Sequence, residues 1–284
     1  MKILLTGGSG FIGNNLKDYL SKDYDVYEIR RKKTKNKRIN KVFYYDGEIK
    51  KLLNFFKSTK PDIVVHLASL FISEHNSLNV TNLVKDNILF STQLLECCIQ
   101  SGCKKFLNTG TSWQNFKNKE YNPVNLYSAT KEAFFDIIYY YHLAHNVDCI
   151  NLKLFDTYGP KDKRKKLFYH INLAVKKKKS FDMTLGNQKI NILHVNDICN
   201  GFLIAINLLM KKDKVFKTYA LSANKLITLK ALVKKYLEIN NLALKVNWGK
   251  KNFKKREVML PWTKFELLPG WKQLIKLERG LKIK

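Results

Sequence analysis

Short apolar runs alternate with longer amphipathic stretches along most of the chain. KILLT (2–6) stops at glycines and reads as a strand. A helical pattern follows from Phe11 to about Leu20. DVYEI (25–29) and KVFYY (41–45) read as the second and third strands. DIVVHLA (62–68) reads as a fourth, continuous enough to be buried on both faces. A long helix is expected over roughly 80–101, a fifth strand at KKFLNTG (104–110), a helix from near Asn125, and a sixth strand at DCINLKLF (148–155). This alternation predicts an α/β fold, a doubly wound parallel sheet of the Rossmann kind.

After Gly159 the rhythm loosens. YGPKDKRKK (158–166) is a charged, turn-rich connection. Beyond it the pattern predicts a helix, a short strand near 190–194, a helix at 196–210 and smaller units to the end. KKKK (176–179) closes a helix, where cations favour the dipole. A boundary near residue 160 is expected. Residues 161–284 would form a smaller C-terminal α/β region, with part of that chain returning to the main sheet.

With 284 residues, 45% of them hydrophobic, the chain can bury a substantial core. No apolar run approaches membrane-spanning length, and the run after Met1 is too short for a signal peptide. The five cysteines are odd in number and lack paired metal-ligand spacing, so we expect reduced core residues, no metal, no membrane and a cytoplasmic protein. The formal net charge is +29. A basic excess of this size would suit nucleic acid. The lysines, however, accompany many Asn and Ile, which points to a lysine-rich solvated surface. No nucleic-acid partner is expected, and an anionic small ligand fits either reading.

LTGGSGFIGNNL (5–16) changes the picture. Gly7, Gly10 and Gly13 follow the first strand and open a helix, with Phe11 and Ile12 between them. Glycines so placed permit a tight turn, close approach to a pyrophosphate and close helix–strand packing. The helix N-terminus then faces the phosphates. Residues 1–160 are therefore expected to be a dinucleotide-binding domain. Strand two ends in EIRRKK: Arg30 and Arg31, then Lys32 and Lys33. Guanidinium groups at that point suit the 2′-phosphate of NADP, whereas a carboxylate would suit NAD. Glu28 is a competing carboxylate, but it lies within the strand.

NLYSATKEAFFD (125–136) holds Tyr127 and, four residues on, Lys131. With 14 tyrosines and 52 Lys and Arg among 284 residues, about two or three such spacings arise by chance. Context decides. Taken with the glycine loop and strand two, the chain resembles the extended short-chain dehydrogenase/reductase family over essentially its whole length. That family includes the nucleotide-sugar epimerases, dehydratases and reductases. Asp46 and Gly47 match its acidic contact to adenine. HLAS (66–69) matches the strand-four motif beside the cofactor, placing Leu67, Ala68 and Ser69. DNILFSTQLLE (86–96) matches its Asn-x-x-x-Thr-x-x-Leu-Leu helix, placing Asn87. LNTGTS (107–112) matches the strand with the catalytic Ser/Thr, here Thr111. LFDTYGP (154–160) matches an Arg-x-Phe-Asn-x-Tyr-Gly-Pro block, with Asp156 in place of Asn. KINILHVNDI (189–198) matches a block whose arginine is Ile190 here, and LLPGWKQLIKLERGLK (267–282) matches the C-terminal helix region.

The resemblance implies Tyr127 as the acid and Lys131 as the lysine that lowers its pKa and holds the nicotinamide ribose. Thr111 would hydrogen-bond the substrate oxygen. It also implies cations for a substrate diphosphate: Lys254 and Arg256, then Arg164 and Lys166. Relatives often form homodimers through the helices that here include 80–101 and 126–145. After the catalytic Thr, the 4,6-dehydratases keep Asp-Glu, and the fucose-type epimerase/reductases keep a cysteine at the second place. Here Ser112 and Trp113 stand there. What remains is hydride exchange at C4, by a ketoreductase or a 4-epimerase. The arginines favour NADPH and the reductase. The connection from Thr111 to Tyr127, and KKREVM (254–259), resemble the CDP-abequose and CDP-paratose synthase branch. A non-catalytic NADP- or RNA-binding protein of this fold is the alternative of another class.

Overall fold

The computed structural model describes residues 1–31 and 41–283; Lys32 and Lys33 lie outside the described residues. The apolar runs become β1 (Lys2–Thr6), β2 (Asp25–Arg30), β3 (Val42–Tyr44), β4 (Ile63–His66), β5 (Lys105–Thr111) and β6 (Asp148–Leu154). Four short strands follow: β7 (Asp156–Tyr158), β8 (Phe181–Met183), β9 (Lys189–Ile190) and β10 (Ile192–His194). Then β11 (Phe216–Leu221) returns to the main sheet, before β12 (Ile227–Thr228) and β13 (Val246–Trp248). Among the described residues the central sheet has seven strands in the order β11-β6-β5-β4-β1-β2-β3. All of its pairings are parallel.

The α-helices are α1 (Phe11–Leu20), α2 (Ile49–Thr59), α3 (Ser77–Val84), α4 (Phe90–Gln100), α5 (Leu126–His145), α6 (Leu167–Lys176), α7 (Val195–Lys211), α8 (Leu229–Ile239) and α9 (Leu277–Gly280); α1 and α7 pack on one face of the central sheet, and α2, α4 and α5 on the other. Strand residues alternate between the two faces. Ile3 and Leu5 join Leu16 of α1 and Phe202 of α7 in one core. Leu4 and Val64 join Phe56 of α2, Leu94 of α4 and Phe134 of α5 in the other. A third cluster, around Ile171, Met183, Leu232 and Tyr236, holds the C-terminal elements. The tail is tied to α7. Trp271 Nε1 donates to Asp197 O at 2.9 Å, and the Asp197 carboxylate accepts from Leu274 N at 3.0 Å and Ile275 N at 3.1 Å.

The helix expected over 80–101 is not continuous. A single π turn, Lys85–Leu89, separates α3 from α4 and turns Asn87 inward to 2% exposure. The five cysteines are free and buried. Among the described residues no helix is long and apolar enough to cross a membrane.

Candidate active site

The C-terminal ends of β1, β4, β5 and β6 open on one cleft of about 260 Å³. Parallel α/β sheets place ligands at this edge, where the strand order reverses. One wall is the glycine loop. Gly7 has φ +75°, and a Cβ there would stand 2.7 Å from Ala68 N. A Cβ on Gly13 would overlap the Gly7 carbonyl oxygen. Gly10 N donates to Gly7 O at 2.9 Å, and no side chain caps α1, so its first N–H groups stay open to the cleft. Ala68 N donates to Thr6 Oγ1 at 3.1 Å, and that hydroxyl is hydrogen-bonded to His66 Nδ1 at 2.8 Å. Burial, aided by the Lys131 charge, pushes His66 well below its usual range, so it is neutral.

The facing wall comes from β5 and α5. Thr111 ends β5. Its N–H donates to Gln114 Oε1 at 2.7 Å, and Gln114 Nε2 donates to Glu132 of α5. Glu132 lies 3.9 Å from Lys153, a 5% exposed lysine whose Nζ donates to Asn115 Oδ1 at 2.8 Å. Helix α5 begins where Asn125 accepts Ser128 N at 3.0 Å; its Nδ2 donates to Ser73 O at 2.8 Å. Tyr127 and Lys131 therefore enter the cleft from the first turns of a capped and anchored helix, beside Thr111.

Lys131 is 3% exposed and has no hydrogen-bond or ion-pair partner among the described residues. Burial lowers its pKa to about 8. The sequence reading expected this ammonium to lower the Tyr127 phenol, and the structure corrects that. Burial pushes the phenol up and the Ser69 hydroxyl offsets part of the shift. Desolvation of the phenolate is the dominant effect, so Tyr127 holds its proton.

Beyond Thr111 the wall is aromatic. Phe71 meets Tyr127 edge-on at 5.0 Å and Trp113 at 5.6 Å between ring centres. Ser112 is buried beside them. The roof carries Asp156, Arg164 and Lys166. Arg164 stands 4.1 Å over the Phe11 ring, forked onto Asp162 and donating to Thr157 O at 2.7 Å. Lys166 lies 3.9 Å from Asp156 and 5.3 Å over Phe71. Burial pushes its ammonium down, which Asp156 partly offsets.

Gly7, Gly10, Phe11, Ile12, Gly13, Leu67 and Ser69 all line this cleft, as do Thr111, Ser112, Trp113, Tyr127, Lys131, Asp156 and Arg164. Other expected residues stand off its wall. Arg30 is forked onto Glu28, and Arg31 is paired with Asp86. Asp46 is engaged by Lys51 at 2.7 Å, next to Gly47 at φ +106°. Asn87 holds Leu70 N at 2.7 Å, Leu70 O at 3.1 Å and Thr130 Oγ1 at 3.0 Å, so its polar atoms are spent on protein partners. Lys254 bonds Ser73 Oγ at 2.6 Å, and Arg256 bonds Asn122 and Pro123 O. Phe71, Thr109, Phe155 and Thr157 line the cleft without having been singled out in the sequence. Thr109 had a signal: it lies two residues before Thr111 on one strand, hence on the same face. Its buried Oγ1 has no partner.

Comparison with known proteins follows the same lines. The chain is 26% identical to the CDP-abequose synthase of Salmonella muenchen over 99% of its own length and 96% of the relative. It is 29% identical to that of Yersinia pseudotuberculosis over 73% of its own length and 74% of the relative. The fold superposes on the UDP-glucuronic acid 4-epimerase of Bacillus cereus, solved with UDP-glucuronic acid and NAD. That match has a TM-score of 0.84 at 21% identity and covers 99% of this chain and 96% of the epimerase. Residues 3–217 match the family described as NAD dependent epimerase/dehydratase. Since that match spans most of the chain, the protein belongs to this family, the extended group of the short-chain dehydrogenases/reductases.

Proposed function

We propose that the protein is a nucleotide-sugar oxidoreductase that reduces the C4 ketone of a nucleotide-linked 4-keto-(di)deoxyhexose with NADPH. Such a reaction would serve synthesis of surface polysaccharide sugars in the cytoplasm. One observation carries the reading: Thr111, Tyr127 and Lys131 meet on the glycine-loop cleft, with Ser112 and Trp113 beside them where carbon-acid chemistry would need an acid and a base. The two CDP-abequose synthases support a CDP-linked substrate.

The cleft fits a nicotinamide dinucleotide. The loop is tight at Gly7 and Gly13, the start of α1 is uncapped, Lys131 is buried with no ion pair among the described residues, and the buried Thr109 Oγ1 has no hydrogen-bond partner among them. Gly7, Gly10, Phe11, Ile12 and Gly13 would hold its diphosphate. Leu67, Ala68, Asp46 and Gly47 would hold its adenosine side, with Arg30 and Arg31 at a 2′-phosphate. When bound, the cofactor supplies the hydride. Thr111 Oγ1 donates a hydrogen bond to the ketone oxygen, and Tyr127 gives that oxygen its proton. Lys131, a lone cation, holds ribose hydroxyls. Ser69, Ser112 and Trp113 enclose the sugar, and the ring wall of Phe71 and Trp113 suits one stripped of hydroxyls. Asp156 and Arg164, with Lys166, would face the nucleotide end, and Lys254 and Arg256 would supply further cations for the substrate diphosphate.

The second reading is a 4-epimerase with bound NAD, favoured by the fold shared with an epimerase solved with NAD. The experiment is NADPH oxidation against a panel of 4-keto-deoxy nucleotide sugars, run in deuterium oxide. The expected result is one NADPH per ketone, a single C4 alcohol and no enzyme-dependent deuterium at C3 or C5. Inversion at C4 of the corresponding nucleotide-sugar alcohols, offered in parallel, without net NADPH use would replace the reductase reading. Deuterium at C3 or C5 would reveal a base in the cleft that the reading lacks.

A further inference from the structure

Strand β2 presents Glu28 and Arg30 on one face, two residues apart. Glu28 is 5% exposed. Its carboxylate accepts three hydrogen bonds from Arg30: Nε to Oε2 at 3.1 Å, Nη2 to Oε1 at 2.8 Å and Nη2 to Oε2 at 3.0 Å. Lys17 Nζ, on α1, lies 4.0 Å from Oε1. A Cβ on Gly8 would overlap Glu28 Oε2, so the carboxylate lies directly against the glycine loop. A buried carboxylate needs a counter-ion. Arg30 is therefore fixed by the core of the domain and is not a loose surface cation. Arg31, in contrast, is an exposed side chain that meets Asp86 across the surface.

The fork engages Nε and Nη2 and leaves Nη1 without a hydrogen-bond partner among the described residues, available for a second oxyanion. We infer that Glu28 is the positioning residue for cofactor choice: it locks the Arg30 guanidinium beside the glycine loop, with its outer edge free for the 2′-phosphate of NADP. The inference rests on the NADP reading above and explains how a strand-end arginine acquires one geometry. It also assigns the carboxylate of β2. Three of its acceptor positions already serve Arg30, so it is an anchor for the guanidinium and is not the acceptor for a ribose 2′-hydroxyl.

The test uses 2′,5′-ADP and 5′-AMP as probes of the adenosine end, titrated by calorimetry into the full chain. Glu28→Gln keeps shape but turns one oxygen into a donor facing Nη2, so the fork breaks. Binding of 2′,5′-ADP should weaken about tenfold or more, while 5′-AMP stays within about twofold. Gly8→Ala approaches from the other side. It keeps both charges, and the atoms its Cβ would meet are the Glu28 carboxyl end and not backbone, so the fold is retained and the preference for 2′,5′-ADP should fall in the same direction. This second variant carries the test if Glu28→Gln does not fold. Arg30→Ser separates the two ideas. If it weakens 2′,5′-ADP while Glu28→Gln and Gly8→Ala do not, the phosphate site stands and the anchor is overturned. Loss of 5′-AMP binding without loss of 2′,5′-ADP binding in Glu28→Gln would make Glu28 the acceptor of a ribose 2′-hydroxyl and overturn the inference in favour of NAD. No preference for 2′,5′-ADP in the unaltered protein, or its survival in Arg30→Ser, would sink the NADP reading and the anchor with it.

Discussion

Lys131 is a buried cation with no counter-ion among the described residues. Its pKa in the folded protein is about 8, below the 10.5 of an unfolded chain. The unfolded chain binds the extra proton between those values, so stability rises with pH across that window and the full cost is present below it. Lys131→Met should therefore stabilise the ligand-free protein at pH 7 by about 3 kcal/mol. The gap should close as pH approaches the 10.5 of the unfolded lysine. Denaturant titrations of both proteins across pH would show it; a gap independent of pH would contradict it. Tyr127→Phe keeps the ring packed against Phe71 and removes the proton donor. Turnover should fall about 10²–10⁴-fold with NADPH affinity nearly unchanged, and near-normal turnover would end the assignment. At this scale legibility followed chemistry. Gly7 and Gly13 could be read because only glycine fits where a Cβ would strike the neighbouring backbone. Phe71 and Phe155 could not, because an aromatic residue reads the same in a core and in a cleft wall. The Glu28 anchor was hidden because its partner was judged by charge alone.

Among the elements, β5 and α5 matter most, since one carries Thr111 and the other Tyr127 and Lys131. Gln114 and Glu132 join them. The Gln114 amide must accept from Thr111 N–H and donate to a carboxylate, so Glu132 fixes which way it faces. Gln114→Met keeps the volume and removes both bonds. We expect the hydride step to slow about tenfold, roughly the worth of one buried hydrogen bond, with the NADPH Kd unchanged. Single-turnover rates and cofactor titration would check this. Loss of cofactor binding instead would mean that the joint serves the fold and not the alignment. β1 to β6, α1 and α5 were legible because each pattern has one period, whereas α2 (Ile49–Thr59) was not read. The π turn at Lys85–Leu89 was not, because it answers to Asn87 reaching Leu70 and Thr130, contacts distant in sequence. β7 to β10 are too short for periodicity to register; they owe their place to pairing, as when Ile192 meets Asp156.

For the molecule as a whole, the boundary near residue 160 is one of chain direction more than of folding. β11 pairs with β6 from Phe216↔Cys149 to Leu221↔Leu154. Ile198, Phe202 and Ile206 of α7, with Trp271, share a core with β1 and α1. A fragment of residues 1–160 should therefore lack a cooperative unfolding transition. A sharp melt of that fragment would show that the first six strands suffice. The outer surface carries another expectation. Leu78 (82% exposed), Leu89 (50%) and Leu143 (65%) stand on the neighbouring helical layers of α3, the π turn and α5. We propose that a second copy covers them, so light scattering should give about twice 33.2 kDa. A mass of 33.2 kDa at micromolar concentration would refute the dimer.

The late return of β11 has a further consequence on the ribosome. When β6 has emerged, its outer edge is an unpaired row of backbone donors and acceptors on a strand buried throughout in the finished protein. Its partner emerges about 60 residues later, roughly 3–12 s at ordinary elongation rates. In that interval the nascent chain offers an unpaired strand edge to any neighbour. Lysine-rich flanks such as KDKRKK (161–166) and KKKK (176–179) are made within the same interval, and their mutual repulsion would keep nascent chains on one messenger apart until the edge is covered.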